Sequence, residues 1–210
     1  MHMPAIARRV GALFALLLIL FAAPALAAPN FPALTGRVVD EAQMLSPQTE
    51  QALTQKSEEL EAKTHHQFVV VTIKDLQDYD IADYGYQLGR TWGIGGKANN
   101  DGVLLIVAPN ERKVRIEVGY GLEPVLTDAL SSVILQTRVL PKFRSGDMEG
   151  GVVDGADAIV TQLGLDPTEQ QKAVQAAAQQ PKEKGGFPIW VIFIIIWFII
   201  IAMRSGRRRY

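Results

Sequence analysis

Two aspartates, Asp101 and Asp128, stand where a hairpin would bring chemistry together. Val103–Val107 is apolar throughout, Lys113–Val118 alternates, and Ala108-Pro109-Asn110-Glu111 lies between them. That pattern predicts an antiparallel hairpin with its turn near residues 108–112. The open end must then set Asn100-Asp101-Gly102 beside Gly119-Tyr120-Gly121. Thr127-Asp128 opens a helix at the same edge a few residues later. Asp101 and Asp128 thus share one rim, bordered by Asn100, Gly119, Tyr120, Gly121 and Thr127. The two glycines let the backbone turn and come close to a ligand or a neighbouring chain, and positive φ is the expectation there. Carboxylates with backbone carbonyls form a hard oxygen environment suited to Ca²⁺, and less to Mg²⁺. Plainer roles exist for each residue. Asp128 would cap its helix and complement its dipole, and Asp101 would make an Asx turn with Gly102. Tyr120 is either a pocket wall or packing for its loop.

Other chemistry is poorly supported. Zero cysteines exclude disulfides, iron–sulfur clusters, thiolate zinc sites and thiol catalysis. His65 and His66 are adjacent, and neighbouring side chains diverge too far to chelate one ion well. There is no Gly-x-Ser-x-Gly elbow and no phosphate-binding Gly-x-x-x-x-Gly-Lys-Ser/Thr loop. Trp92-Gly93-Ile94-Gly95-Gly96-Lys97 has glycines and a lysine at the wrong spacing, and reads as a mobile loop rimming the pocket. Arg112, Lys113 and Arg115 read as a solvated hairpin tip and face.

The elements that must position this rim are legible in order. Ser46-Pro47 opens a helix with Ser as N-cap and Pro in the first turn. Its apolar stripe, Leu53 and Leu60, is narrow. Gln67–Lys74 is β-branched and apolar on both faces, which suits a central strand. Asp80 caps a helix whose apolar positions, Ile81, Tyr84, Leu88 and Trp92, have helical spacing. After the hairpin come a helix from Thr127-Asp128 that Pro141 ends or kinks, and another over Met148–Leu163 stopped by Gly164. These pieces predict an α/β domain with a mixed sheet and helices on both faces.

The ends differ from the middle. The chain has 210 residues, is 48% hydrophobic and 20% charged, and carries a formal net charge of −1. Within residues 30–168, 20 acidic side chains face 12 basic ones, a net of −8 that would repel nucleic acid. Arg8-Arg9, the apolar run Val10–Ala23 and Ala25-Leu26-Ala27 predict a signal peptide over 1–27. Residues 187–203 are uncharged and rich in Ile, Trp and Phe. As a helix they span roughly 26 Å, enough for a single crossing. The arginines at 204 and 207–209 predict a cytoplasmic tail over 204–210, with the domain extracytoplasmic, or periplasmic, on the inner membrane. Residues 28–165 then form the domain and 166–186 a Gln/Ala-rich tether.

The ordered segments resemble the TPM domain family. They are Gly36-Arg37-Val38-Val39-Asp40 with Met44-Leu45-Ser46, then Phe68–Ile73, Trp92-Gly93-Ile94-Gly95 and Asn100-Asp101-Gly102-Val103-Leu104-Leu105. Arg115 to Glu123, Leu126-Thr127-Asp128 and Pro141 to Asp147 follow. The resemblance covers about residues 34–164. It implies a Rossmann-like αβα sandwich, often secreted or anchored by a C-terminal transmembrane helix. It adds Asp40 to Asp101 and Asp128 as a third metal ligand. It also implies calcium binding in some members, acid phosphatase activity in another, and an accessory role beside a receptor channel in a third. A methanol-dehydrogenase label attached to some members finds no support in this chain's length or repeats. Two functions follow: an accessory module for a membrane-protein partner, possible calcium linkage included, or a metal-dependent phosphomonoesterase. Against the second stand the acidic domain and the absence of an Arg or His firmly placed to stabilise a transferring phosphoryl group.

Overall fold

The computed structural model describes residues 28–180 and Trp197. The expected signal peptide at 1–27 and cytoplasmic tail at 204–210 lie outside the described residues, as does the expected span at 187–203 apart from Trp197. Among the described residues no helix is long and apolar enough to cross a membrane.

Four strands form one mixed sheet in the order β1-β2-β3-β4. They are β1 (Val38–Asp40), β2 (Gln67–Thr72), β3 (Gly102–Ala108) and β4 (Lys113–Val118). β1, β2 and β3 are parallel, and β4 returns antiparallel to β3 with Val103 opposite Val118. This is the expected hairpin. Every residue of β3 is buried, as are Phe68 to Thr72 of β2, because neither strand has a polar face to offer water.

Helices therefore cover both faces. Helix α1 (Pro47–Thr64) buries Leu53 and Leu60 against Phe68, Val70, Val103 and Leu105. The same layer holds α4 (Asp128–Ile134), α5 (Leu140–Arg144) and α6 (Met148–Gly164). The opposite face packs Val69, Val71, Leu104 and Ile106 under Tyr84 and Leu88 of α2 (Ile81–Trp92). A short α3 (Gly96–Asn99) follows α2. The chain steps from β1 to β2 and from β2 to β3 in the same direction, yet α1 and α2 lie on opposite faces. Two such crossovers have opposite hands, so one of them departs from the right-handed rule.

The predicted caps form. Ser46, Asp80 and Thr127 accept from the backbone N–H groups of Thr49, Ala82 and Leu130. Pro141 is accommodated by a π-helical turn, Leu135–Val139, in which Leu140 donates its N–H to the carbonyl of Leu135. The wider turn makes room for a ring that would otherwise strike the preceding backbone. The stretch read as a tether begins as α7 (Pro167–Ala178), capped by Asp166, with Gln170 and Ala177 buried. It packs against α4, so this part of the chain is docked on the domain.

One long-range link joins the N-termini of α1 and α6. Ser46 donates both its N–H (2.9 Å) and its hydroxyl (2.6 Å) to Glu149 Oε1. Glu149 thus does from another helix what an acidic residue three positions past the cap does in a capping box. Hydrogen bonds from the Ser46 and Thr49 hydroxyls and from the Ser46 N–H pull its pKa from 4.5 to about 2. A depressed folded pKa supports the fold above pH 4.5 and loses that support as pH falls towards 2. Glu149→Gln should lower the melting temperature at pH 7 and flatten its decline between pH 4.5 and 2. An unchanged slope in acid melts would contradict this link.

Candidate functional site

The open end of the hairpin is built as the sequence predicts. Gly119 donates to the carbonyl of Gly102 at 2.8 Å, and Gly121 to that of Asn100 at 2.9 Å. The expectation of positive φ fails at both glycines; Gly119 has φ −70°. Close approach is what requires them. A Cβ on Gly119 would lie 2.2 Å from the Asn100 carbonyl oxygen, and one on Gly121 2.4 Å from that of Asn99.

A groove of about 670 Å³ opens beside this junction. Tyr86 and Arg90 of α2 form one wall, Glu117 to Tyr120 and Glu123 the other, and Gly93, Ile94, Gly96 and Asn100 the intervening side. Tyr86 is 53% exposed and Tyr120 80%. Arg90 lies over the Tyr86 ring, 5.5 Å from its centroid, and donates to the Tyr86 hydroxyl at 2.9 Å. The 92–97 segment does rim the groove, and it is hydrogen-bonded in place: Gly95 donates to Gln67 Oε1 and Ile94 to the carbonyl of Gly89.

Of the expected rim residues, Asn100, Gly119 and Tyr120 line the groove, whereas Gly121 and Thr127 do not. Gly121 packs under the Asn99–Asn100 backbone, and Thr127 is spent as the N-cap of α4. The three aspartates are not a single site. Asp40 ends β1 opposite Thr72, which pairs with Val107, while Asp101 precedes Gly102 at the other end of β3. That puts them about 20 Å apart along the strands. The addition of Asp40 to the rim is therefore corrected. Its carboxylate accepts from the N–H groups of Met44 (3.2 Å) and Leu45 (2.9 Å) and from the Thr72 hydroxyl (2.5 Å). Asp101 has Asn99 Nδ2 at 3.5 Å and His66 Nδ1 at 3.8 Å, and the Asx turn with Gly102 does not form. That imidazole nitrogen is buried and makes no hydrogen bond. Asp128 is exposed in the first turn of α4, where its charge complements the helix dipole. Among the described residues no group of three or more His, Asp or Glu side chains is placed to hold a metal ion, so the donor set does not fit the expected calcium cage.

In open α/β sheets ligands collect beyond the carboxyl ends of the strands. Here that end is filled by its own chain. Asp40 binds the 44–45 backbone, Glu111 accepts from the Leu76 N–H at 3.0 Å, and Asn110 donates to the carbonyl of Lys74 at 2.7 Å. Tyr84 seals the adjacent layer edge-on to Phe31, with ring centroids 5.0 Å apart. Burial, aided by the nearby charges of Glu41 and Asp75, pushes its hydroxyl up to about 12. The groove occupies the opposite end. Sequence reasoning missed Tyr86 and Arg90; the signal was a tyrosine and an arginine four residues apart on the outward side of α2.

These features define a three-layer α/β domain with an aromatic groove at the amino end of its parallel strands. The TPM domain family profile matches residues 38–162, and the chain belongs to that family. Among solved structures it is similar to the N-terminal domain of a protein from P. gingivalis, at 37% identity and TM-score 0.58. That match covers 61% of this chain and 82% of the other. The N-terminal domain of a Corynebacterium glutamicum protein shares the fold at 15% identity and TM-score 0.50, covering 67% and 90%. No curated protein matches the chain.

Two predictions follow from this geometry. Gly119→Ala and Gly121→Ala should each cost about 1–3 kcal/mol in urea unfolding, because backbone cannot yield to the added carbon. Gly36→Ala, with open space around it, should cost far less. Asp40→Ala should cost about 1–3 kcal/mol by leaving polar groups unpaired, and by the same amount with and without calcium. A loss seen only in calcium would restore Asp40 as a metal ligand.

Proposed function

We propose that this chain is an accessory binding module, held at the outer face of the cytoplasmic membrane by residues 187–203 and presenting the Tyr86–Tyr120 groove to a membrane-protein partner. The observation that carries the reading is the groove's lining. It offers two exposed aromatic rings, a guanidinium, two carboxylates and an amide, and among the described residues no histidine, serine, threonine or cysteine. Exposed tyrosines beside an arginine are what protein recognition uses. Nucleophilic hydrolysis would need a hydroxyl, imidazole or carboxylate activated by a neighbouring base, or a metal-bound water. Arg90 supplies the cation that the phosphatase alternative lacked in sequence, yet it is engaged with Tyr86, and the Glu117 carboxylate beside it is paired with Arg115. The reading needs no cation. The sequence of the ends supports the anchoring, and the acidic balance of the domain disfavours nucleic acid as the partner.

The test is site-specific photo-crosslinking in intact cells. A photoreactive residue at Tyr120 or Tyr86 should give a discrete membrane-fraction adduct whose added mass is not that of a second copy of this chain, and one at exposed Gln51, on α1, should not. Tyr86→Ala with Tyr120→Ala should abolish the adduct from a probe at Glu123 while shifting the melting temperature little. Equal adducts from all positions, or none from the groove, would remove the proposal.

A further inference from the structure

β4 is an edge strand, and among the described residues its outer backbone groups make no hydrogen bond, although Ile116 at its centre is only 5% exposed. The Gly119 N–H bonds the Gly102 carbonyl, and Val118 sits opposite Val103. Bonding pairs alternate along an antiparallel ladder, so Lys113, Arg115 and Glu117 direct their backbone groups to β3. Val114, Ile116 and Val118 therefore direct theirs outward. Among the described residues no backbone or side-chain group reaches them. Both faces of the strand are already covered, by α2 on one side and the π turn on the other, so a partner would have to come along the edge.

Such an edge accepts another strand, and the charge pattern identifies which. Arg115 and Glu117 share the α2-facing side of β4, where Arg115 Nε lies 2.6 Å from Glu117 Oε2. Their side chains are 37% and 17% exposed. In an antiparallel pairing of β4 with a second β4 centred on Ile116, Ile116 meets its own copy and Val114 meets Val118. Arg115 then stands opposite Glu117 of the second copy, and Glu117 opposite its Arg115. Both charge pairs occupy the non-bonded positions, where side chains are closest. A slip of two residues one way sets Arg115 against Arg115 while bringing Lys113 opposite Glu117, and the other way sets Glu117 against Glu117. Only the register centred on Ile116 makes two opposite-charge pairs within the strand with no like-charge pair.

We propose that this chain associates with a second copy of itself through the β4 edges, antiparallel and centred on Ile116, joining two four-stranded sheets into one. The register leads the second copy's hairpin turn toward the strand end where Tyr120 stands exposed. Each groove is then bordered by the neighbouring copy. A six-residue edge buries little area, so the dimer is weak and concentration-dependent. The proposal stands independently of the partner reading of the groove.

The test measures the mass of the full chain in mild detergent by light scattering and sedimentation. Wild type should move from monomer to twice that mass at concentrations up to roughly 100 µM, the range of weak specific complexes. Arg115→Glu alone, or Glu117→Arg alone, should weaken association by at least about tenfold, since like charges then meet. The double swap Arg115→Glu with Glu117→Arg should restore it. A purely monomeric wild type, single variants that dimerise like wild type, or a folded double swap that fails to recover would each overturn the proposal. A second measurement does not depend on the reversals folding. The natural chain has no cysteine, and the facing Cα atoms would be about 4.5 Å apart, within disulfide reach. Chains carrying Arg115→Cys mixed with chains carrying Glu117→Cys should oxidise mainly to the mixed dimer. Equal cross-linking within each single population would overturn the register.

Discussion

β2 and β3 have no side that can face water, and the rest of the architecture answers that constraint. Val69, Val70, Val71, Leu105 and Ile106 are wholly buried. Each such side chain contributes about 1.5–3 kcal/mol when removed from water. A sheet with two such strands at its centre must be covered above and below. α1, α4 and α6 supply one cover and α2 with the 28–34 segment the other. Because consecutive crossovers are sent to opposite faces, the chain accepts one crossover of the unfavoured hand. The need for two-sided burial outweighs the usual preference.

The two ends of the sheet meet different fates for a related reason. At the carboxyl end of the parallel strands, the short connections carry Asp40, Asn110 and Glu111, whose side chains satisfy nearby backbone groups. That end closes on itself. At the amino end, the β3–β4 hairpin opens, and Gly95, Gly102, Gly119 and Gly121 allow backbones to approach where a Cβ would fall under 3 Å from its neighbours. Side chains are thereby excluded from the junction. The aromatic rings of Tyr86 and Tyr120 are left standing beside it, with space between them.

The helical layer is joined by polar contacts between residues far apart in sequence. Glu149 completes the cap of α1, Lys56 pairs with Asp157, and Gln162 donates to the carbonyl of Val125 at 2.7 Å. The exposed ion pairs add little to stability. The Ser46–Glu149 contact differs because it satisfies a backbone N–H that the helix start would leave open. α7 extends the same layer.

What sequence alone determined was local. Caps at Ser46, Asp80 and Thr127, the hairpin with its 108–112 turn, the buried character of β2 and β3, and an irregularity in the helix at Pro141 were all legible. Each is set by a residue's own backbone preference or by the apolar period of a few neighbours. Asn100, Gly119 and Tyr120 could be placed on one rim because a hairpin converts sequence distance directly into spatial distance. Tertiary structure alone decided that Asp40 and Asp101 lie at opposite ends of the sheet, that Gly119 serves close packing instead of a left-handed turn, and that Tyr86 and Arg90 wall the groove. Strand direction and order, and the meeting of Ser46 with Glu149 across 103 positions, depend on which covers the two-sided strands recruit. That is a property of the packed whole, and no local period encodes it.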